Sequence, residues 1–453
     1  MLDATKQLKE KLKGAYAIAA LDHSDPNTLV LARNRSPLLI GLGEDGNFAA
    51  SDPLALADLT NKFLILEDGD VAKISSNKVE VFDKNNKVCK RDIQIIDIKS
   101  EASSKGDYKH FMEKEIYEQP NAILNTLDGR VGGEDVLENI FGESSADVFA
   151  KVKRIQITAC GTSLHAGRVA ANWFSAIAGL PTQIDYASEY RYKNPYVDKN
   201  TLLVTISQSG ETADTLAALR YAKDQNYLAS LAICNVPTSS LAREADFLLL
   251  TNAGHEIGVA STKAFTTQLI ALMLLTLSLA KASGTNPKLR ARIIQALREM
   301  PDIVEKSLEL KKDIIEIASE IALQDNALFL GRGMFYPIAK EGALKLKEIS
   351  YIHAEAYPAG ELKHGPLALI DERMPVVAIA PEHELAEKLV SNLEEVKARG
   401  GALYVFGNAK EKLSLETGKY ISMPECDFLL TPISVSYTHL RAHETEADLV
   451  CRL

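Results

Sequence analysis

The chemistry-bearing residues of this chain cluster in short turns. Ser207-Gln-Ser-Gly-Glu-Thr212 packs three hydroxyls (Ser207, Ser209, Thr212) and one amide (Gln208) into six positions, with no Lys or Arg. Ahead of a helix, unpaired backbone N–H groups and the positive end of the helix dipole attract an anion. A neutral cradle of hydroxyls suits a phosphomonoester, whereas a triphosphate site calls for the lysine of a P-loop. The same residues also make a hydroxyl-rich N-cap that holds no ligand, so the loop alone leaves both readings open. Ala159-Cys-Gly-Thr-Ser163 is a second such turn, with Thr162 and Ser163 just after Gly161. Two hydroxyl-bearing turns on one sheet edge favour an anion site over capping. Gly258-Val-Ala-Ser-Thr-Lys263 is a third helix start and by itself only a cap. Cys160 reads as a buried strand-end thiol, because no base is identifiable beside it.

Further along, Lys345 and Glu348 are three residues apart and share a helix face, which ordinarily means a surface ion pair. The segment that follows, 351–366, reads as a long loop dense in Gly, Pro, His and Glu, and such loops in compact domains usually carry function. Glu348 could shuttle a proton between adjacent carbons of a sugar, and His364 could open a hemiacetal ring. His439 and His443 imitate a metal pair at i, i+4, but no third ligand accompanies them, and no metal is expected.

Elements that could position these residues alternate between strand and helix from residue 153 onward, in two rounds. The apolar runs predict strands over 154–158, 202–206, 229–234 and 247–250, then over 327–330, 376–380, 402–406 and 428–430. The spacing between the first three strands nearly repeats, and residues 245–251 echo 426–431, which indicates a duplicated α/β unit. Each should be a doubly wound parallel sheet that binds ligands at the carboxyl ends of its strands. The apolar helix over 261–274 that closes the first round has no apparent counterpart after Thr431. Residues 1 to about 100 read as an antiparallel β-rich layer, with a hairpin turn at 67–70. Residues 101–145 read as a connector.

The chain has 453 residues, 46% of them apolar and 25% charged, with a net charge of −10. That balance argues against nucleic acid or an anionic membrane as the main partner. Five scattered cysteines with no C-x-x-C pair point to free thiols in a cytoplasmic setting.

The turns at 159–163, 207–212 and 258–263, together with Lys345-Leu-Lys-Glu-Ile-Ser-Tyr-Ile-His-Ala-Glu355 and Gly360-Glu-Leu-Lys-His-Gly-Pro366, resemble the glutamine–fructose-6-phosphate aminotransferase (isomerizing) family. The resemblance runs from about residue 10 to about 434. It implies an α/β fold of two tandem sugar-isomerase (SIS) domains, at 146–290 and 318–434, preceded at 1–100 by the later part of an α+β N-terminal-nucleophile glutaminase domain. It implies conversion of fructose 6-phosphate and glutamine to glucosamine 6-phosphate, with no cofactor. Thr162, Ser163, Ser207, Gln208, Ser209 and Thr212 match the family's phosphosugar-binding positions, and Val259 and Ser261 match positions lining the same pocket. Glu348 resembles the isomerisation base, Lys345 its close neighbour, and His364 the ring-opening histidine supplied by the other subunit. A homodimer with a shared site follows. The family's nucleophilic cysteine is not found at Met1-Leu2, and residues 435–453 do not match its lysine-bearing tail. The expectation is therefore a chain cut at both ends, with a foreign tail, an incomplete second SIS domain and no glutaminase step. A SIS isomerase or deaminase, or a non-catalytic phosphosugar-binding module, is the alternative.

Overall fold

The computed structural model describes residues 1–96, 104–382, 386–408 and 418–442. The chain divides into two compact units, Met1–Gly106 and Asp107–Leu453.

In the first unit, α1 (Leu2–Lys11) precedes β1 (Tyr16–Asp22), β2 (Asp25–Asn34), β3 (Leu39–Leu42), β4 (Asn47–Ala50), β5 (Lys62–Ile65), β6 (Val71–Ser75), β7 (Lys78–Phe82), β8 (Val88–Cys89) and β9 (Ile93–Ile95). They form two antiparallel sheets, ordered β1-β2-β6-β7-β8 and β4-β3-β5-β9. Leu31, Ile40, Leu64 and Ile74 belong to one apolar cluster drawn from both sheets. The turn at 67–70 is not a hairpin turn, because β5 and β6 lie in different sheets. Its anchor is Asp70, which is fully buried. The Asp70 carboxylate accepts the Glu67 N–H at 2.8 Å and the Arg91 guanidinium at 2.8 and 2.9 Å. A buried charge so well satisfied fixes the crossover from one sheet to the other.

The second unit opens with α2 (Phe111–Tyr117), α3 (Gln119–Leu127), the short hairpin β10 (Val131–Gly132) and β11 (Asp135–Val136), and α4 (Ser145–Phe149). A first lobe follows: β12 (Arg154–Ala159), α5 (Gly161–Ala178), β13 (Thr182–Tyr186), α6 (Ala187–Tyr190), β14 (Thr201–Ile206), α7 (Ala213–Lys223), β15 (Ala229–Cys234), α8 (Ser240–Glu244), β16 (Phe247–Leu250) and α9 (Lys263–Ala282). Helices α10 (Pro287–Leu308) and α11 (Lys311–Ile321) lead into the second lobe: β17 (Asn326–Gly331), α12 (Tyr336–Ser350), β18 (His353–Pro358), β19 (Pro375–Ala380), α13 (Ala386–Ala398), β20 (Ala402–Gly407), β21 (Gly418–Ser422) and α14 (Thr431–Ala442).

Both lobes hold a parallel five-stranded sheet with the same order of strands, β13-β12-β14-β15-β16 and β18-β17-β19-β20-β21. Ala159, the last residue of β12, lies between Tyr186 and Ile206. The strand order reverses around β12 and β14, so the crevice for a ligand opens where those two strands end. Helix α9 is long and apolar enough to cross a membrane, yet 94% of its apolar window is buried within the protein. It is a core helix.

Three further expectations are corrected. Residues 428–430 form a 3-10 turn, nucleated by Asp427 accepting the Leu429 N–H at 3.0 Å, and the edge strand of the second sheet is β21 instead. Part of the supposed loop at 351–366 is the edge strand β18, paired with β17. A helix does follow Thr431: α14 buries Ile433 and Val435 completely. Those two side chains join Trp173, Phe265, Met300 and Phe335 in one continuous apolar core spanning both lobes.

Candidate functional site

The turns at 160–163 and 207–212 leave the carboxyl ends of β12 and β14, neighbouring strands in register. Gly210 sits at φ +66°, and a Cβ there would come within 2.1 Å of Ser239 Oγ, so only glycine fits. Ser207 Oγ accepts the Gly210 N–H at 3.0 Å and lies 2.9 Å from Thr212 Oγ1. Ser209 Oγ accepts the Glu211 N–H at 3.2 Å. The Gln208 carbonyl accepts the Asn235 N–H at 3.0 Å, which ties the loop to the next strand end.

Ser207 and Ser209 serve backbone N–H groups of their own loop, but the helix starts themselves carry no side-chain cap. Thr212 stands at the N-cap of α7 and Cys160 at that of α5, and neither makes a side-chain cap bond. In the α5 turn the side chains are committed elsewhere. Gln268 of α9 donates to Ser163 Oγ at 3.1 Å, and Thr162 Oγ1 donates to Glu341 Oε1 at 2.8 Å. The third turn differs: Glu256 itself accepts the N–H groups of Thr262 and Ala264, at 2.8 and 3.1 Å. A carboxylate of the chain already occupies the start of α9.

Glu341 is the residue that sequence reasoning missed. It lies on α12, only 2% exposed, and joins the two lobes. One carboxylate oxygen accepts from Thr162, and the other lies 2.7 Å from His165 Nδ1. Lys345, one helical turn on and 1% exposed, stands 3.5 Å from Glu341 and 2.7 Å from Glu348. Burial alone would push the Glu341 carboxyl up, but Lys345 and the His165 and Thr162 bonds outweigh it and hold the group below its ordinary value. Burial would likewise lower the Lys345 amine, but Glu341 and Glu348 keep it raised. Both are charged at neutral pH. The i, i+4 spacing of Glu341 and Lys345 was the available signal, though nothing in the sequence placed that face against another lobe.

The structure thus links Thr162, Lys345 and Glu348 through Glu341, and sets Ser207, Gln208, Ser209 and Thr212 on the adjoining strand end. The linked set does not include Val259, Ser261 or His364. Val259 is 98% exposed at a loop tip, and Ser261 is half-buried beside it. His364 is exposed at the end of a 3-10 turn, Ala359–His364. Burial raises the Cys160 thiol, which makes it a poor nucleophile. His443 and the His439 side chain lie outside the described residues. Among the described residues, no group of three or more His, Cys, Asp or Glu could hold a metal.

A family model for the SIS domain matches residues 148–278 and 320–438. Over 434 residues the chain is 51% identical to glutamine–fructose-6-phosphate aminotransferase (isomerizing) of Idiomarina loihiensis, covering 96% of this chain and 71% of that protein. It is 53% identical over 436 residues to the Pseudomonas putida enzyme of the same name, again covering 96% and 71%. The solved C-terminal domain of glucosamine–fructose-6-phosphate aminotransferase from Francisella tularensis superposes with a TM-score of 0.75 at 46% identity, covering 77% of this chain and 98% of that domain. With both lobes matched and more than two thirds of each relative spanned, the chain belongs to the glutamine–fructose-6-phosphate aminotransferase (isomerizing) family.

Proposed function

We propose that the lobed unit binds fructose 6-phosphate and carries its isomerisation and amination to glucosamine 6-phosphate. The hydrogen-bonded chain from Thr162 through Glu341 and Lys345 to Glu348 is the observation that carries this reading. It joins the hydroxyl-bearing turn at 160–163 to a helix bearing an acid–base group. The phosphate sits on Ser207, Gln208, Ser209 and Thr212 and on the N–H groups that start α5 and α7, with Thr162 and Ser163 contributing through their backbone. Val259 and Ser261 line the sugar. Ammonia condenses with the C2 carbonyl of the open-chain ketose and water leaves; Glu348 then takes a proton from C1 of that imine and delivers it to C2, which leaves a C1 aldehyde and a C2 amine. The cationic Lys345 beside it keeps that carboxylate oriented.

His364 is exposed at the end of its 3-10 turn and has no part in the linked set of its own chain, which supports a homodimer in which the ring-opening histidine comes from the partner copy. The Met1–Gly106 unit is the later part of the glutaminase domain, a reading supported by relatives that align over 96% of the chain. The free thiols of Cys89, Cys160, Cys234 and Cys426 fit a cytoplasmic setting.

The test is a calorimetric and thermal titration with fructose 6-phosphate, run beside Ser207→Ala, Ser209→Ala. At a hundredfold excess over Kd a native-state ligand adds about 2.7 kcal/mol of stability. The double variant should lose that gain. Equal stabilisation of both proteins would remove the cradle from this loop.

A further inference from the structure

The connector ahead of the first lobe meets the sugar-lining loop and the start of α9 through three polar side chains around the junction of α2 and α3. Glu115, 3% exposed, accepts the N–H groups of Ile257 and Gly258 on one carboxylate oxygen, the latter at 2.9 Å. Glu118 pairs with the buried Lys263 at 2.6 Å. Gln119, wholly buried, accepts from Thr266 at 2.5 Å. The three residues fall at one junction, where Glu118 ends α2 and Gln119 begins α3.

The fit is tight at Gly258. A Cβ there would fall 2.6 Å from Glu115 Oε2, and that oxygen is buried with no hydrogen-bond partner. An orphaned oxygen in a buried carboxylate is costly. The arrangement keeps Oε1 on two backbone N–H groups and demands a residue without a side chain opposite. Burial raises the Glu115 carboxyl, consistent with a group held there against its solvation. The loop it grips then exposes Val259 at its tip and carries Ser261.

We propose that Glu115 is a positioning residue for the phosphosugar site: its carboxylate clamps the Ile257 and Gly258 backbone so that Val259 and Ser261 face the sugar. The inference rests on the reading of 258–261 as sugar-lining. It makes the connector part of the site's rigid frame, beyond its role as a tether.

The discriminating variants are Gly258→Ala, Glu115→Asp and the two combined. Gly258→Ala should weaken fructose 6-phosphate binding about tenfold or more while Trp173 fluorescence reports a folded protein. Glu115→Asp retracts the carboxylate by one methylene, clears the new Cβ, and should restore most of the affinity in the double variant. Wild-type affinity in Gly258→Ala, or a double variant no better than the single, overturns the proposal. Glu115→Gln keeps an acceptor oxygen and should bind nearly as the wild type does. Amide hydrogen exchange at Ile257 and Gly258 reads the clamp without ligand. Unchanged protection in Glu115→Ala overturns it whatever the sugar does. Loss of the clamp's protection with no wild-type sugar binding would instead condemn the phosphosugar reading and leave the clamp standing.

Discussion

Replacing Glu341 by Ala tests the interlobe link directly. The change removes a carboxylate that accepts from Thr162 at 2.8 Å, lies 2.7 Å from His165, and stands 3.5 Å from a lysine only 1% exposed. Truncating one partner of a buried pair costs about 3–5 kcal/mol, because the other charge stays buried without compensation. Lys345 keeps Glu348 at 2.7 Å, so the loss should fall near the lower end, about 3 kcal/mol. That is more than a hundredfold in the folding equilibrium. The chain has one tryptophan, Trp173, wholly buried on the same helix as Thr162 and His165. Its fluorescence in a urea titration therefore follows the affected region, and the midpoint should fall with little change in slope. Glu341→Gln keeps an acceptor for Thr162 but loses the charge and presents an NH2 to His165, and should cost less than the alanine change. A loss below about 1 kcal/mol for the alanine variant, with unaltered fructose 6-phosphate affinity, would refute the reasoning that Glu341 organises the site.

Three other outcomes follow from the same geometry. Gly210→Ala forces a Cβ to within 2.1 Å of Ser239 Oγ at φ +66°, so fructose 6-phosphate binding should be lost, with about 2 kcal/mol of stability. Glu348→Gln should leave sugar binding intact but abolish deuterium uptake from solvent at C1, measured by proton NMR. For pH, Glu341 lies below the ordinary 4.5 and Lys345 above the ordinary 10.5. The glutamate's contribution is complete above 4.5 and fades as pH falls through its lowered value. The lysine's is complete below 10.5 and fades as pH rises through its raised value. The pair's own contribution to the urea midpoint should therefore be level between those limits, and the difference in midpoint between wild type and Glu341→Gln should shrink as pH falls through the lowered glutamate value.

Central strands were legible because they are buried on both faces and read as unbroken apolar runs, as in Leu202, Leu203 and Val204. Of the four edge strands only β16 was legible, an apolar run like the central ones; β13, β18 and β21 were not. Strand β13 reads Thr-Gln-Ile-Asp-Tyr and β21 reads Gly-Lys-Tyr-Ile-Ser, since an edge buries one side and tolerates polar residues. The apolar Phe428–Leu430 took the place of β21 in the expectation, although its apolarity serves helix packing. Helix α14 escaped notice because Ser434 and Ser436, small and buried, alternate with Ile433 and Val435 and hide the apolar stripe. At the site, hydroxyl turns announce themselves by composition. Glu341 does not: a glutamate on a charged helix looks solvated until the other lobe covers it.

The shared apolar core has a bearing on how such a molecule could have arisen and how it can be re-engineered. Two copies of one sheet motif share a single interior here: Trp173 and Phe265 from one copy belong to the same apolar cluster as Phe335 and Ile433 from the other. A chimaera that exchanges one copy for a distant cousin's must match that interior residue by residue, whereas exchanging both copies together leaves it intact. The heritable module is the pair.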